Sequence, residues 1–348
     1  MAFEITGTGR AVPSRRVTND ELAAKIDTSD EWIRSHTGIG ARHIAGKETA
    51  VSDLALEAAK KALAQAAGLE ALPPVELEKA LADAALSLDL IVVASVTGDY
   101  HGFPSTACLI QDKIGAKRAG AMDISAACTG FIYGLETAAA LLSISGERKR
   151  ALVIGAEVLS KFTDWDDRGT CVLFGDGAGA AILEKTAAPR EGPGKRGLLR
   201  TILGADGSGA EHLIMRRGGS RNPYSAGEIL DKAPHVEMNG QAVYNFAVKT
   251  MTSGIEAILS SEGVKVNDLA RIVPHQANAR IVQAAAKRLN IPEEKFFLNI
   301  EEYANTSAAS IPIALDELNR SGQISRGDLI LTIGFGGGLT YGANLIIW

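Results

Sequence analysis

A cysteine, Cys128, stands where the strand-like "AGAMDISAA" gives way to the helix-like "TGFIYGLETAAALL". A thiol at such a junction lies beside unpaired backbone N–H groups and the positive end of a helix dipole, and both favour the reactive thiolate. Gly130, two residues on, removes side-chain bulk where a substrate would approach. His275 follows an apolar strand pattern in "IVPHQANARI", and Asn305 in "ANTSAASIPIAL" precedes another helix-like stretch. Singly each has a bland reading: a cysteine is often a small buried hydrophobe, and a histidine beside a proline says little. Together, a nucleophile, an imidazole and a carboxamide at strand-to-helix junctions of a duplicated sheet point to one site, because open α/β sheets gather ligands at their strands' C-terminal edge. Cys108 and Cys171 lie within patterned stretches and read as packing residues. His36, His43, His101, His212 and His235 occupy polar or irregular stretches.

The elements that must position these residues alternate. "DLIVVASV" (89–96) and "RALVIGAEV" (150–158) read as buried strands, and "VSDLALEAAKKALAQAA" (51–67) as a helix. The alternation implies an α/β protein with largely parallel sheets covered on both faces. The polar connector "EKTAAPREGPGKRG" (184–197) reads as the joint between residues 1–186 and 197–348. The two halves share a plan of strand, helix, strand-like segment, reactive-type residue and helix. Asp89 precedes Cys128 by 39 positions, and Asp268 precedes Asn305 by 37. Each half closes on a glycine-rich turn entering an apolar strand, "FGDGAGAAIL" and "FGGGLTYGANLIIW". Packed about a pseudo-twofold axis, the halves would place Cys128 and Asn305 at equivalent helix starts, facing one another. Ala67–Asp89 predicts an additional surface helix.

Composition excludes several classes. The chain has 348 residues, 46% of them hydrophobic and 22% charged, as in an ordinary globular protein. A net charge of −5 gives a nucleic-acid partner no support. Three cysteines without CxxC spacing favour neither a disulfide framework nor a zinc site, and no metal is expected. No basic-then-apolar leader opens the chain and no apolar run reaches the ~18 residues of a membrane span, so a cytoplasmic location is expected. "GDGAGA" and "GFGGGLTYG" lead into strands rather than helices, against the dinucleotide fingerprint, and no phosphate-cradling GxxxxGK[ST] occurs. Papain-like proteases also carry Cys, His and Asn in this order, but their N-terminal signature and chain plan are absent.

"DISAACTGF", "PHQANARI", "ANTSAASIPIAL" and "GFGGGLTYGA" together resemble β-ketoacyl-acyl-carrier-protein synthase III, the initiating condensing enzyme of type II fatty-acid synthesis. "TSDEWIRSHTGI", "DDRGTCVLFGDGAGAAIL" and "MNGQAVYNFAV" extend the likeness over nearly the whole chain. The resemblance implies a duplicated thiolase-like α/β fold of five layers, α-β-α-β-α, acting as a homodimer. Its catalytic set falls on Cys128, His275 and Asn305. An acyl group would pass from coenzyme A (CoA) to Cys128, malonyl-acyl-carrier protein would lose CO₂, and the carbanion would attack the acyl-cysteine. His275 and Asn305 would donate to the enolate oxygen, and the backbone N–H groups of Cys128 and Gly337 to the second oxyanion. Acyl-CoA is a substrate here, and no cofactor is expected.

The resemblance further implies CoA binding by Trp32 and Arg168, which would stack adenine, with Gln241 and Arg280. His36 stands where members commonly carry a phosphate-contacting Arg, and a largely neutral imidazole holds phosphate less well; Arg34 is nearby. Arg280, Lys287 and Arg288 share one helical face by their offsets. That face reads either as solvated or as the dock for an acidic carrier protein. Phe103 would reach into the partner's acyl pocket and favour a short primer such as acetyl. Elongating relatives carry His in place of Asn305, and thiolases use a second C-terminal cysteine that this chain lacks. Two rivals remain: a condensing enzyme of secondary metabolism with another acyl donor, and a non-catalytic CoA-binding module.

Overall fold

The computed structural model describes residues 1–188, 195–230 and 232–348. The first half holds β1 (Ala2–Ala11), α1 (Asp30–Thr37), α2 (Val51–Ala66), α3 (Pro74–Ala85), β2 (Leu90–Ala94), α4 (Thr106–Ile114), β3 (Gly120–Ile124), α5 (Gly130–Ile144), β4 (Arg150–Val158) and β5 (Asp176–Thr186). The second holds β6 (Gly197–Ala205), α6 (Gly240–Glu262), β7 (Leu269–Pro274), α7 (Ala279–Leu289), α8 (Ser310–Arg320), β8 (Leu329–Gly336) and β9 (Thr340–Ile347). The middle of the 184–197 connector, residues 189–194, lies outside the described residues.

The duplication is visible in the sheets. One runs β1-β5-β4-β2-β3, with β4, β2 and β3 mutually parallel; the other runs β6-β9-β8-β7, with β8 and β7 parallel. The two orders coincide strand for strand as far as β2 and β7. The strand-like segment of the second half, "EKFFLNIEEYA", is the counterpart of β3, but there the strand shrinks to one parallel bridge, Ile272 to Phe296, and the chain turns helical at Ile300–Tyr303. "DLIVVASV" and "RALVIGAEV" are β2 and β4, with nearly every side chain buried because both sheet faces are covered.

α5 and α8 form the middle layer. Phe131, Ile132 and Leu135 of α5 and Ile311, Leu315 and Leu318 of α8 share one core with strands of both sheets. α2, α3 and α4 cover the outer face of the first sheet, and α6 and α7 that of the second. Layering is thus α-β-α-β-α, as expected for a thiolase-like fold. The segment Ala127–Ile144 has a mean hydropathy of 1.4 over 18 residues, enough to cross a membrane by length and composition. That corrects the expectation that no segment would. Its apolarity has another cause: the helix is walled by two sheets.

Two expectations about the repeat need revision. Each middle-layer helix is entered through a short 3-10 turn, Ala127–Thr129 before α5 and Ser307–Ala309 before α8. Both turns open on a residue with positive φ, Ala127 at +45° and Ser307 at +48°. The structural counterpart of Cys128 is therefore Ala308, and Asn305 stands three residues earlier, before the bend. Gly177 and Gly179 of "FGDGAGAAIL" also lie inside β5 rather than in a turn, and only Gly175 precedes the strand.

Candidate active site

Cys128 sits in the turn entering α5, where Gly336 at the end of β8 packs against its backbone. A Cβ on Gly336 would lie 2.7 Å from the Cys128 nitrogen, so only glycine fits. The thiol is 8% exposed. Burial pushes it up to about 12, opposed by a hydrogen bond with Ser307 and reinforced by the negative charge of Glu157. Burial thus acts against the thiolate that the helix end was expected to favour. Gly130 also has another purpose than substrate access, since a Cβ there would meet the Ala94 side chain at 2.7 Å. It lets α5 close on β2.

His275 follows β7, its backbone N–H donating to Ile333 O of β8 at 2.7 Å. The ring is 1% exposed and edge-on to Phe335 at 5.3 Å. Burial alone lowers it to about 3, so the imidazole is neutral at any working pH. Its Nδ1 lies 2.7 Å from Ser310 Oγ, whose hydroxyl also lies 2.9 Å from Ser307 O; when that hydroxyl donates to Nδ1, the Nε2–H is left for the cavity. Asn305 is fixed by backbone bonds on both sides, its N–H donating to Leu173 O and its O accepting from Gly175 N–H. Ser307 N–H donates to Asn305 Oδ1 at 2.8 Å. With the carboxamide oxygen taken, the NH₂ is the group left to donate.

Cys128, His275 and Asn305 line one cavity of about 250 Å³ whose other wall carries Trp32, His36 and Arg168. Cys128, Phe174 and Leu213 also line a second cavity of about 380 Å³, with Ala126, Gly337 and Ser307 around it. A thiol between two chambers can receive a thioester from one and lodge its acyl chain in the other. Two roomier cavities, of about 570 and 580 Å³, are lined by no cysteine and lie at Arg15–Lys25–Lys161 and at Arg10–Asp316.

At the mouth the Arg168 guanidinium lies 4.2 Å over the Trp32 ring, and His36 stacks on the same ring at 4.4 Å and 18°. Two groups that near one centroid cannot share a face, so the indole is sandwiched. A base entering between Trp32 and Arg168 needs two van der Waals layers, about 7 Å in all, and must displace the arginine outward. His36 braces Trp32 through stacking and a 2.8 Å bond from Nδ1 to Trp32 O. Arg34, offered as a substitute phosphate ligand, is bound to Asp30 and Glu301.

The other expected residues lie outside these chambers. Gln241 is exposed at the start of α6 and bonds Asn245. Arg280, Lys287 and Arg288 project from α7 opposite its buried face of Ile281, Val282, Ala285 and Ala286, and form no ion pair among the described residues. Phe103 is 87% exposed. α3 is the expected additional helix, on the surface away from the site.

Sequence reasoning missed the residues behind the site. Glu157, the one charged side chain within β4's apolar run, is fully buried; its isolation in "RALVIGAEV" was the available signal. Ser307 and Ser310 gave none. Arg42 is fully buried, has no carboxylate partner among the described residues and donates to Val172 O and Asn19 Oδ1, tying down the segment that holds Asn305.

Comparison with known proteins agrees with this geometry. Residues 122–207 match the 3-oxoacyl-[acyl-carrier-protein] synthase III family and residues 259–348 its C-terminal part. The β-ketoacyl-[acyl-carrier-protein] synthase III of Desulfitobacterium hafniense is 47% identical over all of this chain and 98% of its own length. That of Clostridium acetobutylicum is 45% identical over 100% of this chain and 99% of its own. The crystal structure of the Aquifex aeolicus synthase III superposes with a TM-score of 0.85 at 43% identity, covering both chains fully. With its thiolase-like fold and these relatives, the chain belongs to the β-ketoacyl-acyl-carrier-protein synthase III family of condensing acyltransferases.

Proposed function

We propose that this protein condenses an acyl-CoA primer with malonyl-acyl-carrier protein, releasing CoA and CO₂ and yielding a 3-oxoacyl-carrier protein that begins fatty-acid synthesis. The carrying observation is the single cavity in which a thiol from the first half meets an imidazole and a carboxamide from the second. Cys128 is the nucleophile, and thioester exchange onto it is nearly balanced in energy. His275 and Asn305 act in the second half-reaction: each offers a neutral N–H donor in a water-poor chamber, where donors to a developing enolate count most. The backbone N–H groups of Cys128 and Gly337 would hold the oxyanion formed when the carbanion attacks. The thioester and the departing CO₂ supply the driving force, and no cofactor is required.

CoA enters past Trp32 and Arg168, with Gln241 and Arg280 at the rim, and the carrier protein docks on Arg280, Lys287 and Arg288. The enzyme acts as a cytoplasmic homodimer joined at the exposed edge of β3, where Phe103 of one subunit enters the other's 380 Å³ chamber. So narrowed, the chamber suits acetyl. Intact-mass measurement after exposure to acyl-CoAs tests this: acetyl should add one acyl mass that Cys128→Ala abolishes, and malonyl-carrier protein should then discharge it with CO₂. CoA binding without any acyl adduct would leave a non-catalytic module.

A further inference from the structure

Forming the Cys128 thiolate requires somewhere for its proton to go. The buried imidazole is poorly suited, since an imidazolium there would sit without a carboxylate partner in a desolvated pocket. Behind the cysteine lies a different group. Ser307 lines the same chamber as the Cys128 thiol and interacts with it, and Ser307 Oγ–H donates to Glu157 Oε1 at 3.1 Å. Glu157 is 0% exposed, Ser307 3% and Cys128 8%, so the line is closed to solvent. The carboxylate also receives Thr97 Oγ1–H at 2.5 Å and Val96 N–H at 3.2 Å, and it lies within 3.3 Å of Ser95 Oγ. No cation pairs with it among the described residues.

We propose that Glu157 accepts the Cys128 proton through Ser307 during acylation. The S–H bond breaks and its proton passes to Ser307 Oγ, whose own proton passes to Glu157 Oε1. The sulfur electron pair attacks the thioester carbonyl. When the C–S bond to CoA breaks, the carboxylic acid returns the proton by the same route to the departing sulfur. One negative charge is present throughout and moves only from carboxylate to sulfur. Burying both anions together is what the site avoids, and neutralising Glu157 removes the charge that opposes the thiolate. His275 then keeps its N–H for the second half-reaction. Burial raises Glu157 from the ordinary carboxylate range to about 7, near a working pH, with the hydrogen bonds opposing the shift. The other ionisable groups on neighbouring elements are engaged elsewhere. Asp176 of β5 binds Ser160 and Ala45 N–H, Asp99 beyond β2 accepts from Ser52 N–H, and His275 meets Ser310.

This rests on Cys128 being the acylated residue. The test is the pH profile of Cys128 self-acylation by acetyl-CoA, followed by intact mass from pH 5.5 to 9. The native enzyme should accelerate as pH rises through about 7 and then level. Glu157→Gln should lose that limb, fall ~10²-fold at pH 7.5, and respond only to added hydroxide. Ser307→Ala, which keeps the backbone bonds to Asn305, should lose the limb too and gives an independent measure if the first variant folds poorly. In a Cys128→Ala background, adding Glu157→Gln should change malonyl-carrier-protein decarboxylation less than threefold. An unchanged limb in either variant, or equal loss of both half-reactions, overturns the relay. No adduct on the native enzyme would instead overturn the proposed function.

Discussion

Which half-reaction a residue serves follows from what its atoms are free to do. The Asn305 oxygen is occupied by Ser307 N–H, so the carboxamide can only donate toward the cavity. Asn305→Ala should therefore still take up an acetyl mass from acetyl-CoA, while decarboxylation slows ~10²–10³-fold, the usual loss for one oxyanion donor. Comparable loss of both steps, measured separately, would contradict that assignment. His275 also shapes acid stability. Its folded value is lowered to about 3 from an ordinary 6.5, so the unfolded chain binds a proton that the folded one refuses. Stability is intact above pH 6.5 and drains as pH falls below it, by about 2 kcal/mol at pH 5 at 1.36 kcal/mol per unit. Glu157, raised from 4.5 to about 7, acts oppositely, gaining stability as pH falls across that range. Both proteins in a comparison of native enzyme with His275→Gln retain Glu157, so denaturant midpoints at pH 7 and pH 5 isolate the imidazole. The native midpoint should fall more on acidification than the variant's.

Elements bring these atoms together by packing that tolerates little change. α8, which carries the bend at Ser307, is clamped to β1 by Asp316. That buried carboxylate meets Arg10 at 2.7 Å, Arg320 at 2.8 Å and Thr8 Oγ1 at 2.9 Å. Asp316→Ala leaves Arg10 without its carboxylate partner and Arg320 with Glu70 alone, and should cost about 1.5–3 kcal/mol in chemical denaturation. A loss below 1 kcal/mol would show that solvent compensates the half-exposed arginines. Much at this scale was legible in sequence. β4 coincides with "RALVIGAEV", and α2 ends one residue short of its expected limit, because uninterrupted apolar runs and alanine-rich helical spacing are local signals. The register of the repeat was not legible. It depends on two 3-10 turns with positive φ at Ala127 and Ser307, residues whose types do not announce such a backbone. Nor was the thiol's protonation. A helix end is visible in sequence, whereas the burial that opposes it is made by separate stretches of the chain, from Val96 and Phe174 to Ser307 and Gly336.

At the scale of the molecule, one edge of the first sheet stands out. β3 lies at the end of its strand order and has only exposed and half-buried side chains, although it belongs to a sheet otherwise enclosed on both faces. Met122 on this strand is 36% exposed, and Tyr100 and Phe103 in the loop between β2 and α4 are 60% and 87% exposed. An unpaired strand edge flanked by large apolar groups invites pairing with another chain, and natural proteins normally block it with charge or cover. A second copy meeting β3 across a twofold axis would extend the sheet and cover these side chains. The same approach would bring Phe103 toward the neighbouring chamber, making primer choice a property of the pair. Met122→Glu should thus shift sedimentation from dimer toward monomer. It should also reduce condensation by at least tenfold at micromolar protein, although the substitution touches no residue of the Cys128 cavity. A native enzyme that sediments as a monomer with full activity would sink the proposal. A dimeric Met122→Glu variant would move the interface to another face.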